Sequence, residues 1–72
     1  MLGDGWFWMV FDDRKIPTEE KVKEHKRFCI KKFNVKPTVC LCHAVDKSVT
    51  SIKMVADQYV SEHYFWFGVD DG

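Results

Sequence analysis

The fold of this chain is decided by the stretch WFWMVF, Trp6 to Phe11. Six consecutive apolar residues are too few for a typical helix, and the run is rich in aromatic side chains. Gly5 precedes it and Asp12 and Asp13 follow it, and such residues commonly bound strands. The stretch therefore predicts a buried strand, and we interpret the two carboxylates after it as a solvated cap.

The segment that follows this strand has the periodicity of a helix. Thr18 stands at the N-cap position, and two glutamates follow in the first turn, where negative charge favours the positive end of the helix dipole. The helical pattern continues to about Phe33. Asn34 then suits a left-handed residue at the helix end, and Pro37 prevents continuation. We expect a helix of about four turns between Thr18 and Phe33.

Three further apolar runs predict strands at residues 38–44, 52–56 and 63–69. The first strand, the helix and the second strand form a βαβ unit, whose two strands should be parallel, whether or not they are neighbours. Short links between the last three strands predict an antiparallel meander. We therefore expect an α+β fold in the order β-α-β-β-β, with one helix on one face of a mixed sheet of about four strands.

Composition limits both the size of the protein and its partners. The 72 residues are enough for one domain, 1–72, and 46% of them are apolar, unlike a disordered chain. Eleven positive and eleven negative side chains leave no net charge, which argues against a general nucleic-acid or membrane binder. Three cysteines, without a signal-peptide pattern or an apolar run long enough to cross a bilayer, favour a cytoplasmic protein.

The predicted strands are apolar on both faces, although a half-exposed strand should alternate apolar and polar residues. In the first strand, Trp6, Trp8 and Val10 should point to one side, and Phe7, Met9 and Phe11 to the other. A single helix covers one face only. The second face would then expose several aromatic side chains, more apolar surface than a soluble monomer usually presents.

We interpret this second face as an interface, most simply in a twofold homodimer that packs sheet on sheet. Two alternatives remain: loops and chain ends cover the face, or one strand prediction fails. A groove for a peptide, another protein or an apolar ligand is a further possibility. The candidate interface residues are Trp6, Phe7, Trp8, Leu41, His43, Tyr64 and Trp66. Phe7, Phe65 and Phe67 take the place of the tryptophans if the helix covers the opposite side.

The stretch VCLCH, residues 39–43, resembles part of a metal or redox site, but its spacing is unfavourable. Residues i and i+2 of a strand are about 6.6 Å apart with parallel side chains, whereas two sulfurs on one zinc lie within about 4 Å. His43 also points away from Cys42 on a regular strand. We therefore predict that Cys29, Cys40 and Cys42 fill space beneath the helix. We predict no metal, no cofactor, no catalytic residues and no enzymatic activity.

The alternative function is nucleic-acid binding through the helix. Residues 18–36 contain seven basic and three acidic side chains, so positive charge is concentrated there. Lys23, Arg27 and Lys31 recur at four-residue spacing on the outer helix face, which would allow them to follow phosphates. A solvated helix face explains the same pattern, and the aromatic motifs of RNA-binding sheets are not evident.

Overall fold

The computed structural model describes residues 5–70 and confirms the predicted α+β fold. Its regular elements are β1 (Trp6–Phe11), α1 (Thr18–Phe33), β2 (Val39–Cys42), a short 3₁₀ helix (Ala44–Asp46), β3 (Lys53–Ala56) and β4 (Tyr64–Gly68). The four strands form one mixed sheet, and α1 packs against one of its faces.

The strand order is β1-β4-β2-β3, so the last strand in sequence lies between the first two. β4 is antiparallel to both β1 and β2, which makes those two strands parallel, as predicted. The predicted meander is wrong, because β2 and β3 are parallel neighbours. Once β4 occupies one side of β2, β3 can pair only with the other side. The connection between β2 and β3 crosses the helix side of the sheet, where Lys26 of α1 donates a hydrogen bond to Ser51.

The helix ends as the sequence predicts but begins differently. Asn34 adopts the left-handed conformation (φ 57°, ψ 34°), and its N–H donates to the carbonyl of Ile30. At the other end Thr18 is the first helical residue rather than the N-cap. Pro17 holds the cap position and provides no side-chain hydrogen bond. Its carbonyl instead accepts hydrogen bonds from the N–H groups of Glu20 and Lys21.

A bulge in β1 changes the faces that its side chains occupy. The pairing with β4 shifts between Trp6, opposite Gly68, and Trp8, opposite Phe67. Phe7 is the extra residue, so Phe7 and Trp8 both reach the helix, where they contact Phe33 and Phe28. The prediction that Trp6 and Trp8 point to the same face of the sheet is therefore wrong.

The core lies between α1 and the sheet. It consists of Val22, Cys29, Cys40, Cys42, Phe65 and Phe67, and the partly buried Phe7, Trp8, Val10, Phe33, Ile52 and Met54 pack against it. β2 lies in the interior of the sheet, and all four of its residues are buried. This burial explains why its sequence shows no polar alternation.

Candidate functional site

The face of the sheet opposite α1 is apolar along β1 and β4. We define the open face by five residues: Trp6, Met9, Phe11, Tyr64 and Trp66. Cross-strand pairing joins Met9 to Trp66 and Phe11 to Tyr64, and the rings of Phe11 and Tyr64 are 5.0 Å apart. Met9 is 42% exposed and Phe11 is 51% exposed. About half of each of these two side chains is therefore in contact with solvent, so the open face presents an apolar patch.

Gly68 provides the space in which the ring of Trp6 rests on this face. A Cβ atom at Gly68 would lie 2.5 Å from Cε3 of Trp6 and 2.7 Å from the carbonyl oxygen of Gly5. Both distances are too short for van der Waals contact, so only glycine allows the ring and the neighbouring backbone to approach this closely. The half-buried position of Trp6 therefore depends on the missing side chain of Gly68.

Only some of the predicted interface residues lie on the open face. Trp6, Tyr64 and Trp66 do, whereas Phe7 and Trp8 lie beneath the helix because of the bulge. The two remaining candidates, Leu41 and His43, are engaged in contacts with other residues of the same chain. Leu41 points away from the helix but is only 2% exposed. His43 caps the 3₁₀ helix, where its Nδ1 accepts a hydrogen bond from the N–H of Val45. The interface candidates predicted from the sequence did not include Met9 and Phe11, which are the most exposed residues of the open face.

A polar cluster closes the end of β1 against the helix. Asp12 is buried, and its carboxylate accepts hydrogen bonds from Arg14 at 2.8 and 2.9 Å. Nε2 of His25 lies 2.8 Å from the same carboxylate and must carry the proton, since an ionised carboxylate only accepts. Lys21 donates to the backbone carbonyl of Asp12, and Arg14 forms a second ion pair with Glu24. Two turns of α1 are thus tied to the residue that follows β1.

The hydrogen bonds from Arg14 hold the pKa of Asp12 well below its ordinary value, although burial opposes this effect. The hydrogen bond from His25 lowers the pKa further. The prediction that Asp12 is a solvated cap is therefore wrong. A cap and a buried ion-pair centre have the same local sequence, and only the position of His25, thirteen residues later, distinguishes them.

A second Asp–His pair lies next to the first. The carboxylate of Asp46 accepts a hydrogen bond of 2.7 Å from the backbone N–H of His63, whose own carbonyl accepts from the N–H of Asp12. His63 has a positive φ of 72°, an uncommon conformation for a residue with a side chain. These contacts fix the turn into β4 and hold it beside the end of β1. Both Asp–His pairs therefore stabilise the loops that join the strands and the helix.

The three cysteines are buried in the core, as predicted, and all are free thiols. Burial raises the pKa of Cys29 and of Cys42 to about 11 and raises that of Cys40 further. The thiols are therefore protonated at neutral pH, whereas both a nucleophile and a metal ligand need the thiolate. In the described part of the chain, no group of three or more His, Cys, Asp or Glu side chains is arranged to hold a metal ion.

The basic side chains predicted for the outer face of α1 are all exposed: Lys23, Arg27 and Lys31. Lys23 and Arg27 line an open groove between α1 and Ser51, together with the half-buried Lys26. Lys31 lies farther along the helix and is not part of this groove. The two surfaces that could hold a partner, the open face and this groove, are therefore on opposite sides of the sheet.

None of the helices formed by residues 5–70 is both long enough and apolar enough to cross a membrane.

Comparison of the chain with protein-family models, with curated proteins and with solved structures found no significant match.

Proposed function

We propose that this chain is a protein-association module that forms a twofold homodimer through the open face. The observation that carries the proposal is the exposure of Met9 and Phe11 on a face where their cross-strand partners, Trp66 and Tyr64, are aromatic. Burial of these side chains against a partner would remove apolar surface from water, at about 25 cal/mol for each Å². Residues such as Trp6 and Trp66 would then act as aromatic anchors at the centre of the contact.

The charge distribution favours a second copy of this chain as the partner. In a twofold interface the same patch meets itself, so a charged residue near the axis would face its own like charge. β1 and β4 contain no charged residue between Trp6 and Phe11 or between Tyr64 and Gly68. Lys53 of β3, which lies on this side of the sheet, is paired with Asp70 at 3.4 Å. At the other end of the patch, the ring of Phe11 contacts His63, whose Nδ1 lies 3.9 Å from the Asp46 carboxylate. The two strands that form the patch would therefore bring no charged side chain of their own to the twofold contact.

The size of the molecule agrees with this geometry. A stable interface buries about 800 Å² on each partner. The accessible surface of the chain is 4866 Å² and its principal dimensions are 28 × 24 × 19 Å. Roughly one broad side of the molecule is needed for such a contact, so the dimer would use most of the side that bears the open face.

Sedimentation velocity over a range of protein concentrations tests the proposal. We expect a monomer–dimer equilibrium for the natural chain and a monomer for Phe11→Lys, since the twofold axis would bring two new positive charges together. Val49→Lys is the matched control, because Val49 is 90% exposed in the connection that crosses the helix side. It should dimerise like the natural chain. A natural chain that stays monomeric at high micromolar concentration would overturn the homodimer and leave a different protein as the occupant.

We also propose that the protein works in the cytoplasm and has no catalytic activity. Three free thiols in a small core are compatible with a reducing compartment. Burial raises the pKa of the Cys29 and Cys42 thiols to about 11, which does not favour either thiol as a nucleophile at neutral pH. A screen with ester, phosphate and peptide substrates should give no turnover that is lost in a His25→Gln variant.

A further inference from the structure

Three of the six residues that line the groove on the helix side of the molecule are cations. Its volume is about 390 Å³, and its walls are formed by Glu19, Lys23, Lys26, Arg27, Ile30 and Ser51. Each of the five helical residues has another of them three or four positions away, so they share one side of α1. Ser51, at the end of the β2–β3 connection, forms the opposite wall.

The positive charge in this groove is not neutralised by the rest of the described chain. Within residues 5–70, neither Lys23 nor Arg27 forms an ion pair, and Glu19 is the one carboxylate that lines the groove. Glu24 is engaged elsewhere, in its ion pair with Arg14. Lys26 is positioned by its hydrogen bond of 3.3 Å to Ser51. Two unpaired cations, a positioned ammonium group and a hydroxyl therefore converge on one groove.

We propose that this groove binds the phosphate backbone of a nucleic-acid strand. Guanidinium and ammonium groups with a hydroxyl are the donors that phosphate oxygens accept from. The groove contains no aromatic ring on which a base could stack, so the contacts would be to phosphates and independent of base sequence. This site differs from the one predicted from the sequence, because Lys26 and Ser51 replace Lys31 in the groove.

An extended polyanion fits better than a single phosphate group. Lys23, Arg27 and Lys31 follow each other at four-residue spacing, which places them about 6 Å apart along the helix axis. Lys31 thus extends the line of positive charge beyond the groove, so a strand lying along α1 would meet cations over about 12 Å. The proposal is independent of the homodimer, since the groove and the open face are on opposite sides of the sheet.

Fluorescence anisotropy with a labelled oligothymidine strand tests this inference. With about three phosphates contacted, affinity should fall roughly twenty-fold between 50 and 200 mM salt. The double variant Lys23→Gln/Arg27→Gln should bind at least about ten-fold more weakly at low salt. Lys32→Gln/Lys36→Gln removes the same charge from outside the groove and should bind almost normally. Glu19→Gln removes the one lining carboxylate and should bind more tightly than the natural chain.

Two results would overturn the proposal. One is equal binding by the two double variants, which would mean that the groove contributes only general positive charge. The other is the absence of binding by the natural chain at low salt. Inorganic pyrophosphate is the comparison ligand, and it should compete only weakly with the strand. If it binds as tightly as the strand, the groove is a site for a small phosphate compound and the inference of an extended strand is wrong.

Discussion

The two faces of the sheet have nearly the same composition but different surroundings. Phe65 and Phe67 of β4 point to the helix and are fully buried, whereas the alternate residues Tyr64 and Trp66 point to the open face and are half-buried. The helix face is enclosed by α1 and secured at one end by the Asp12 cluster. The open face has no comparable element within residues 5–70. Aromatic content alone therefore does not indicate which face forms the core.

The difference suggests a division of roles. The helix face supplies most of the free energy of folding, because the core residues Val22, Cys29, Cys40, Cys42, Phe65 and Phe67 leave water when the chain folds. The open face retains apolar surface that folding does not hide, and we propose that association hides it. Mutations on the two faces should therefore affect different measurements, namely unfolding on one face and association on the other.

The largest effect is expected from a matched pair of phenylalanine truncations. Phe67→Ala should lower the free energy of unfolding by about 3–5 kcal/mol, since it leaves a cavity in the core. Phe11→Ala should lower it by less than about 1 kcal/mol in the monomer, because Phe11 is already half exposed. Urea denaturation at low protein concentration provides both values. Equal losses would contradict the distinction between the two faces.

Removing the charge of Asp12 should have the next largest effect. Asp12→Asn should cost about 2–3 kcal/mol at neutral pH, because Arg14 and His25 lose a charged acceptor. Asp13→Asn is the control, since Asp13 is exposed, and it should change stability by less than about 0.5 kcal/mol.

The contribution of Asp12 should depend on pH with a definite sign. Its pKa is lowered by folding, so the stabilisation is complete above about pH 4 and is lost as the pH falls towards the folded-state value. The difference between the natural chain and Asp12→Asn should therefore narrow below about pH 4. A difference that stays constant down to pH 2 would show that the carboxylate acts through packing instead.

A smaller effect on stability is expected at Gly68, where the Trp6 ring and the Gly5 carbonyl approach the backbone closely. Gly68→Ala places a methyl group within 2.7 Å of the Gly5 carbonyl and within 2.5 Å of the Trp6 ring. We expect a loss of about 1–3 kcal/mol and a change in tryptophan fluorescence as Trp6 is displaced. Val69→Ala, at the next and more exposed position, is the control and should leave the fluorescence unchanged.

The smallest effect at neutral pH concerns the thiols of the helix face. Their pKa values are raised by folding, so their contribution to stability is present below about pH 9 and lost as the pH rises through about 11. At neutral pH, labelling of the thiols by iodoacetamide should require unfolding and should accelerate with added urea. Rapid labelling that is independent of urea would mean that the helix opens locally.

Much of the fold could be predicted because the signals are local. The strand at Trp6–Phe11 has the predicted boundaries, and the helix Thr18–Phe33 differs from the prediction only in its N-cap, since an apolar run and a helical period are visible within a few turns. The left-handed conformation of Asn34 could also be predicted from the local sequence. The candidate site was predicted only in part, since Trp6, Tyr64 and Trp66 lie on the open face whereas Phe7, Trp8 and Leu41 do not.

The sequence by itself determined that this chain forms an α+β fold, because hydrophobic periodicity predicts one helix and several strands. It also determined that the strands have more apolar surface than one helix covers, because a chain of this length supplies only that helix. Only the tertiary structure decided that β4 lies between β1 and β2, that a bulge moves Phe7 beneath the helix, and that Asp12 is buried beside His25. These features depend on contacts between residues far apart in sequence. Strand pairing joins backbone groups that are nearly the same for every residue, so the side chains of one strand do not specify its neighbour.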